Sequence, residues 1–377
     1  MIYINSDFIM AKNMDRFYDI LYKVAKYDVV SDVHIKQDRN IRVRLSSGDV
    51  ESVHDTLLSY DDIYWFAHDI LSAKELEQLL DWEEVDWSLI LENIRFRVNL
   101  YKDAYGIRAA LRKIAKEIPT MEEIGLDANI KNFLNKNKWL ILVTWPTGSG
   151  KSTTLASMIN YINNIKKNHI ITLEDPIEFE IPDNKSMITQ RDVGKSTKSW
   201  KSAIKYSLRQ DPDVIMVGEM RDIETISSVL TLVETWHLVF STLHTINAVQ
   251  TISRIIDAFP WNEQNQIATQ LSLSLELIIS QQLIPLKSQE GRKPAREILI
   301  NNNAVANNIR KWTPHHIDSI IETSVKDWMQ TMDYSLAQWV VNQDFSKDEV
   351  IPKVKSLQNF YSYIKHQKNK ISSSNEN

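Results

Sequence analysis

Nine residues constrain the fold of this chain more than any others: Trp145 to Thr153, reading WPTGSGKST. Gly150, Lys151 and Ser152 end the pattern of a loop whose backbone N–H groups wrap phosphates just before a helix begins. Such a loop must follow a strand and feed a helix. Leu140–Thr144 is a short apolar run of buried-strand type, and residues 152–163 read as helical. That context separates the motif from a chance GSGKS turn. Thr147, Gly148, Ser149 and Gly150 would form the wrap, Lys151 would reach the β- and γ-phosphates, and Ser152 would ligate Mg²⁺. One position breaks the pattern: its first residue is normally Gly, and here it is Trp145.

Further apolar runs follow the loop. Ile170–Leu173, Val214–Val217 and Leu238–Leu243 each read as buried strands, and the stretches between them as helices. This alternation predicts an α/β fold with a parallel sheet covered on both faces. Residues from about 301 read as mostly helical, and Gln367–Asn377 as a polar, frayed tail.

Before residue 115 the character differs. Residues 14–28 read as an amphipathic helix, with Phe17, Ile20, Leu21 and Val24 at helical spacing. Val33–Ile35, Ile41–Leu45, Ile94–Tyr101 and Ile107–Ile114 read as strands, with a turn at Ser46–Asp49 and one or two helices over 60–81. The expected organisation is an α+β domain over 1–114, a linker over 115–125 that mixes charge with Pro and Gly, and a larger α/β domain over 126–377.

Two strand ends are acidic. Ile171 to Glu178 (ITLEDPIE) supplies Glu174, Asp175 and Glu178, and Asp213 to Asp222 (DVIMVGEMRD) supplies Glu219. Open α/β sheets place ligands at such strand ends. Phosphoryl chemistry there needs a metal-holding carboxylate and a group that positions water. Solvated loop carboxylates are the plain alternative. A third strand ends in Thr242-Leu243-His244-Thr245, where His244 either faces a terminal phosphate or simply packs.

Bulk composition excludes several classes. With no Cys, disulfides, thiol catalysis and Cys-based zinc sites are ruled out. The net charge of −5 gives no bulk drive toward nucleic acid, and no basic segment interleaved with aromatics appears. No apolar run reaches membrane-spanning length, and Met1–Lys12 has no secretory signal. The expectation is a cytoplasmic protein.

Taken in order, these motifs resemble the secretion-superfamily hexameric ATPases, and most closely the type IV pilus retraction motors. The resemblance covers about 14–345. Ser31 to His34 (SDVH) and Arg95 to Asn99 (RFRVN) match in the first domain. Glu174 to Glu178 looks like the family's Asp box, Val217 to Asp222 like its atypical Walker B, and His237 to His244 like its His box. The resemblance implies a PAS-like first domain, a RecA-like ATPase core and a helical C-terminal portion. It implies ATP and Mg²⁺ as ligands, with Thr153 beside the phosphates. Glu178 would activate the attacking water, Glu219 would hold Mg²⁺, and His244 would sense the γ-phosphate. Arg97 and Arg112 would be arginine fingers; the alternative is that both merely bridge surface carboxylates. The implied assembly is a homohexamer at the cytoplasmic face of the inner membrane, peripherally attached through a pilus platform protein, with no direct nucleic-acid partner. Retraction is favoured over extension, secretion or DNA uptake by the absence of a tetracysteine module and by Ala304 to Arg310 (AVANNIR), Asp318 to Thr323 and Met329 to Asp333. A catalytically impaired ring subunit is the reading of another class, should Trp145 block the loop.

The resemblance also sharpens an oddity of composition. Average usage predicts roughly 26 Gly in a chain this long; there are 8 Gly and 11 Trp. Trp139, Trp145, Trp236, Trp312 and Trp328 stand where the resembling family has Gly. Some bacterial codes read UGA as Gly, whereas a common alternative table reads it as Trp. These five are therefore expected to be UGA codons, with Trp82, Trp65 and Trp261 as further candidates. Trp87 and Trp200 stand where the family tolerates an aromatic. The alternative is a divergent protein with genuine Trp.

Overall fold

The computed structural model describes residues 17–374 except 28, 46–47, 93, 115–116 and 289–290. The expectations for Met1–Lys12, for the ends of the first helix at 14–16 and 28, for the turn at Ser46 and Ser47, for the first two linker residues and for 375–377 lie outside the described residues. The chain divides into two compact units, the first ending at Glu117 and the second beginning at Ile118.

In the first unit α1 (residues 17–25) precedes β1 (Val30–Lys36), β2 (Arg39–Leu45) and β3 (Val50–Leu58). Then come α2 (Tyr60–Ile70), α3 (Ala73–Leu80), β4 (Val85–Leu91), β5 (Ile94–Asp103) and β6 (Gly106–Ile114). The 60–81 stretch is two helices because Ser59 and Ser72 each start one, with capping boxes to Asp62 and Glu75. The strands form one sheet in the order β3-β2-β1-β6-β5-β4, antiparallel throughout. Phe96, Val98 and Leu100 alternate onto its inner face and share a core with Phe17, Leu21 and Phe66.

The second unit opens with α4 (Ile130–Leu134), β7 (Trp139–Thr144), α5 (Lys151–Ile165), β8 (His169–Glu174) and β9 (Met187–Asp192). It continues with α6 (Trp200–Ser207), β10 (Val214–Val217), α7 (Ile223–Glu234), β11 (Leu238–Leu243), α8 (Ala248–Asp257) and α9 (Trp261–Ser274). A hairpin of β12 (Leu275–Pro285) and β13 (Arg292–Ile300) follows. The C-terminal portion is helical: α10 (Asn303–Arg310), α11 (Ile317–Thr323), α12 (Met332–Val341), α13 (Lys347–Val350) and α14 (Leu357–Ser374). The seven-stranded sheet runs β13-β12-β7-β11-β10-β8-β9. All its pairs are parallel except the β12–β13 hairpin. The central strands bury both faces. Leu140 and Leu142 join the core beneath α7, α8 and α9, while Ile141 and Val143 join the core beneath α4 and α5.

Two differences from the sequence reading have physical causes. Residues 118–125 look like a linker by composition, yet Met121 is buried with Ile118 and Ile124 packed beside it, all within the second unit's core. Thr120 and Glu123 cap that turn reciprocally. The polar segment after 367 continues α14 as far as Ser374, because the helix already seated by Phe360 and Ile364 needs no apolar residue to extend it.

The backbone singles out six tryptophans. Trp82, Trp139, Trp145, Trp236, Trp312 and Trp328 have φ of 72°, 135°, 149°, 70°, 55° and 67°. A side chain in the left-handed region costs roughly 1–2 kcal/mol at each residue.

Candidate functional site

The site follows from strand register. Thr144 pairs with Leu243, and Val217 pairs with both Ser241 and Leu173. β7 and β11 therefore end together, two residues past the end of β10, and the residues just beyond the four strands share one staggered edge of the sheet. Beyond β7 lies the phosphate loop, beyond β8 the Glu174–Glu178 segment, beyond β10 Gly218 and Glu219, and beyond β11 His244.

The loop turns on Gly148 and Gly150, both at φ 81°, and α5 begins at Lys151. Its backbone N–H groups at the helix start are the ready anion donors of the pattern. Lys151 Nζ donates to the carbonyls of Trp145 (2.6 Å) and Pro146 (3.3 Å). Burial pushes its ammonium below the usual lysine range, while Glu219 and Glu178 pull the other way. Ser152 and Thr153 are half-buried in the first turn of α5, Thr147 is exposed, and the buried Ser149 hydroxyl has no hydrogen-bond partner among the described residues.

Glu219 is the hub. Its Oε1 is 3.0 Å from His244 Nε2, and its Oε2 is 2.8 Å from Arg221 Nε. Met220 N–H and the Thr242 hydroxyl bond across to β11 and back to Gly218, fixing the strand ends against each other. Gly218 allows close approach, since a Cβ there would meet the Leu173 carbonyl at 3.2 Å and the Trp200 ring at 3.3 Å.

Glu178 is exposed on the loop after β8, and its N–H donates to Glu174 Oε2 at 3.4 Å. Glu174 itself is buried. Burial pushes its carboxyl up to about 7, opposed by hydrogen bonds from the Thr172 hydroxyl, Gln190 and the Glu178 N–H. Gln190 on β9 also donates to the Phe179 carbonyl and accepts from the Ile181 N–H. Glu174 and Gln190 thus anchor the loop that carries Glu178. The motif included Glu174, but its burial and its bond to Gln190 could not be read from local sequence.

Arg97 and Arg112 lie in the first unit. They are direct cross-strand partners on β5 and β6. Two cations so placed repel unless anions balance them. Arg97 Nη2 is 3.4 Å from Asp86 Oδ2, and Arg112 Nε is 2.8 Å from Asp32 Oδ1.

A parallel, doubly covered sheet with a phosphate loop and acidic strand ends defines the class: a P-loop nucleotide-binding α/β protein. The chain belongs to the Type II/IV secretion system protein family, whose profile it matches over residues 22–371. It is similar to the type IV pilus retraction ATPase PilT of Pseudomonas aeruginosa, 40% identical over 331 residues, which is 88% of this chain and 96% of the relative. A twitching motility protein of Neisseria gonorrhoeae is 47% identical over 258 residues, 68% of this chain and 69% of that protein. Among solved structures, the pilus retraction motor PilT with bound ADP superposes with a TM-score of 0.82 at 38% identity, covering 91% of this chain and 98% of that one.

The Glu174 environment makes a pH prediction. Its folded pKa of about 7 lies above the ordinary 4.5. The folded state then holds the proton more tightly than the unfolded chain. The resulting stability is full below pH 4.5 and is lost as pH rises through 7, on the order of 3 kcal/mol for one such group. Denaturant unfolding at pH 5 and pH 8.5 should show Glu174→Gln losing less stability across that interval than the parent. An equal or larger loss contradicts the assignment.

Proposed function

We propose that this protein is an ATP-hydrolysing motor that drives retraction of type IV pili. The observation that carries the reading is the phosphate loop set on one sheet edge with Glu219 and its bonded His244 on adjoining strand ends. The relatives named for pilus retraction and twitching motility support the direction of action. So do the absence of Cys and the segments at 304–310, 318–323 and 329–333.

The residues suit Mg²⁺. Among the described residues no group of three or more His, Asp or Glu could cage a metal. Mg²⁺ needs none, since it is held by one or two protein oxygens together with phosphate and water. The Ser152 hydroxyl and the Glu219 carboxylate would be those oxygens, and the ion would supply charge neutralisation. Thr147 to Gly150 wrap the phosphates with backbone N–H groups, flanked by Thr153. Lys151 leaves its carbonyls for the β- and γ-phosphates. Glu178 orients and deprotonates water, held in place through Glu174. His244 reports the γ-phosphate to Glu219. Arg97 and Arg112, preset side by side, release their aspartates to stabilise charge on the transferring phosphoryl.

The working assembly is a homohexamer on the cytoplasmic face of the inner membrane, peripherally bound through a platform protein. No helix among the described residues is long and apolar enough to cross a membrane. Nucleotide-driven rearrangement around the ring drives pilus disassembly, and no nucleic acid is engaged.

The test pairs chemistry with phenotype. Protein from its native host should release phosphate from ATP in the presence of Mg²⁺, and Glu178→Ala should cut turnover at least about a hundredfold. A deletion strain should keep its pili and lose retraction. Loss of the pili themselves would replace this reading with an extension motor. Absence of any hydrolysis would replace it with an inert ring subunit.

A further inference from the structure

Tryptophan occupies glycine backbone in this chain. Seven of the eight glycines have positive φ, and so do six of the eleven tryptophans. Among the described residues, the other non-glycine positions with positive φ are Asp38, Asp55, Glu92, Asp211 and Gln343, all polar. Asp tolerates that region; a bulky aromatic does not. Four of the six tryptophans end helical segments. Trp82, Trp236 and Trp312 each follow the C-cap of α3, α7 or α10, and Trp328 caps a 3₁₀ turn over Val325–Asp327. This is the left-handed position that helices fill with Gly. Trp139 opens β7 and Trp145 directly follows it, at φ values still further from any side-chain-bearing basin. Packing does not compensate, since Trp82, Trp236 and Trp328 are 69%, 74% and 55% exposed. The remaining tryptophans sort the other way. Trp65 lies within α2, Trp261 opens α9, and neither they nor Trp87, Trp200 or Trp339 has positive φ.

We propose that the native polypeptide carries glycine at positions 82, 139, 145, 236, 312 and 328, inserted at UGA codons by a host that reads UGA as glycine. The backbone adds Trp82 to the five positions marked by motif resemblance and leaves Trp65 and Trp261 as genuine. Glycine at 145 restores the first residue of the phosphate loop. Mass spectrometry of protein from the native host is decisive. The tryptic peptide 139–151 contains two of the positions, and it should be lighter than its Trp form by twice the Trp–Gly mass difference. Peptides covering 82, 236, 312 and 328 should each be lighter by one such difference. Tryptophan mass at these positions, or UGG codons in the gene, would overturn the proposal.

A different observation carries a second inference, which rests on the ATPase reading. Arg296 on β13 is 4% exposed, and burial pushes its guanidinium down to about 9. Among the described residues no carboxylate pairs with it. Nη1 and Nη2 donate to the carbonyls of Gly125 (2.7 Å) and Ile124 (2.8 Å), and Nε donates to Gln281 Oε1 at 3.2 Å. Gln281 lies opposite on β12, fully buried. Its Oε1 also accepts from the Thr154 hydroxyl on α5 at 2.9 Å, and its Nε2 donates to the Ser149 carbonyl at 2.9 Å. A guanidinium only donates, so it compels Gln281 to turn its oxygen inward and its amide nitrogen toward the phosphate loop.

We infer that Arg296 and Gln281 are positioning residues that hold the loop from behind, the amide clasping Ser149 and the first turn of α5 at once. In the glycine-bearing native protein, Gln281→Met should weaken ADP binding and raise KM for ATP about tenfold, with kcat changed less than threefold. Arg296→Lys should lose less affinity than Arg296→Met. ADP affinity within twofold of the parent in Gln281→Met would overturn the inference. So would parallel losses of kcat and affinity with a lowered unfolding temperature, the mark of a merely structural role. A parent that binds no ADP would instead defeat the ATPase reading itself.

Discussion

The site depends on the register of four parallel strands. Thr144 lies opposite Leu243, and Val217 opposite Ser241 and Leu173, so β7 and β11 reach two residues beyond β10 and the four strand ends form one staggered edge. A slip of one residue in β10 would turn Val217 to the other face and carry Glu219 away from His244. Register is held by burial on both faces, since the inward residues of β7 alternate between two cores. The chemistry at the strand ends is thus a consequence of hydrophobic packing several residues upstream.

Behind that edge, polar groups are buried in matched sets. Glu174 is closed by Thr172, Gln190 and the Glu178 N–H, and Gln281 by Arg296, Thr154 and Ser149. A satisfied buried network restricts its members to one arrangement. One set fixes the loop with the candidate water-activating carboxylate, and the other fixes the candidate phosphate loop. The candidate reactive groups Lys151, Glu178 and Glu219 stay exposed or half-buried while their supports are sequestered.

Much of this was legible in the sequence, for identifiable reasons. The strands β7 and β10 are near-continuous apolar runs, β8 and β11 are apolar runs broken by Thr or Ser, and the motif residues fall at or just after their ends. Other elements gave no such signal. The edge strand β9 is half-exposed and reads MITQRD, with neither alternation nor an apolar run. Strand β12 follows α9 with no Gly or Pro between them, so the change of period is masked. The Gln281 and Arg296 contacts join residues more than a hundred positions apart, beyond the reach of any local pattern. The tryptophans were the opposite case. Five stood out by motif position alone, but Trp82 could be separated from Trp65 and Trp261 only once backbone angles were known.

The most direct measurement is Mg²⁺-dependent ATP turnover by the chain carrying glycine at the six positions. It should be compared with the same chain bearing Lys151→Ala and with the chain retaining Trp145. The account predicts turnover in the first alone, because Lys151 supplies the phosphate contact and an indole at 145 distorts the start of the loop. Absence of turnover from the glycine-bearing chain, or turnover indifferent to Lys151→Ala, would contradict it.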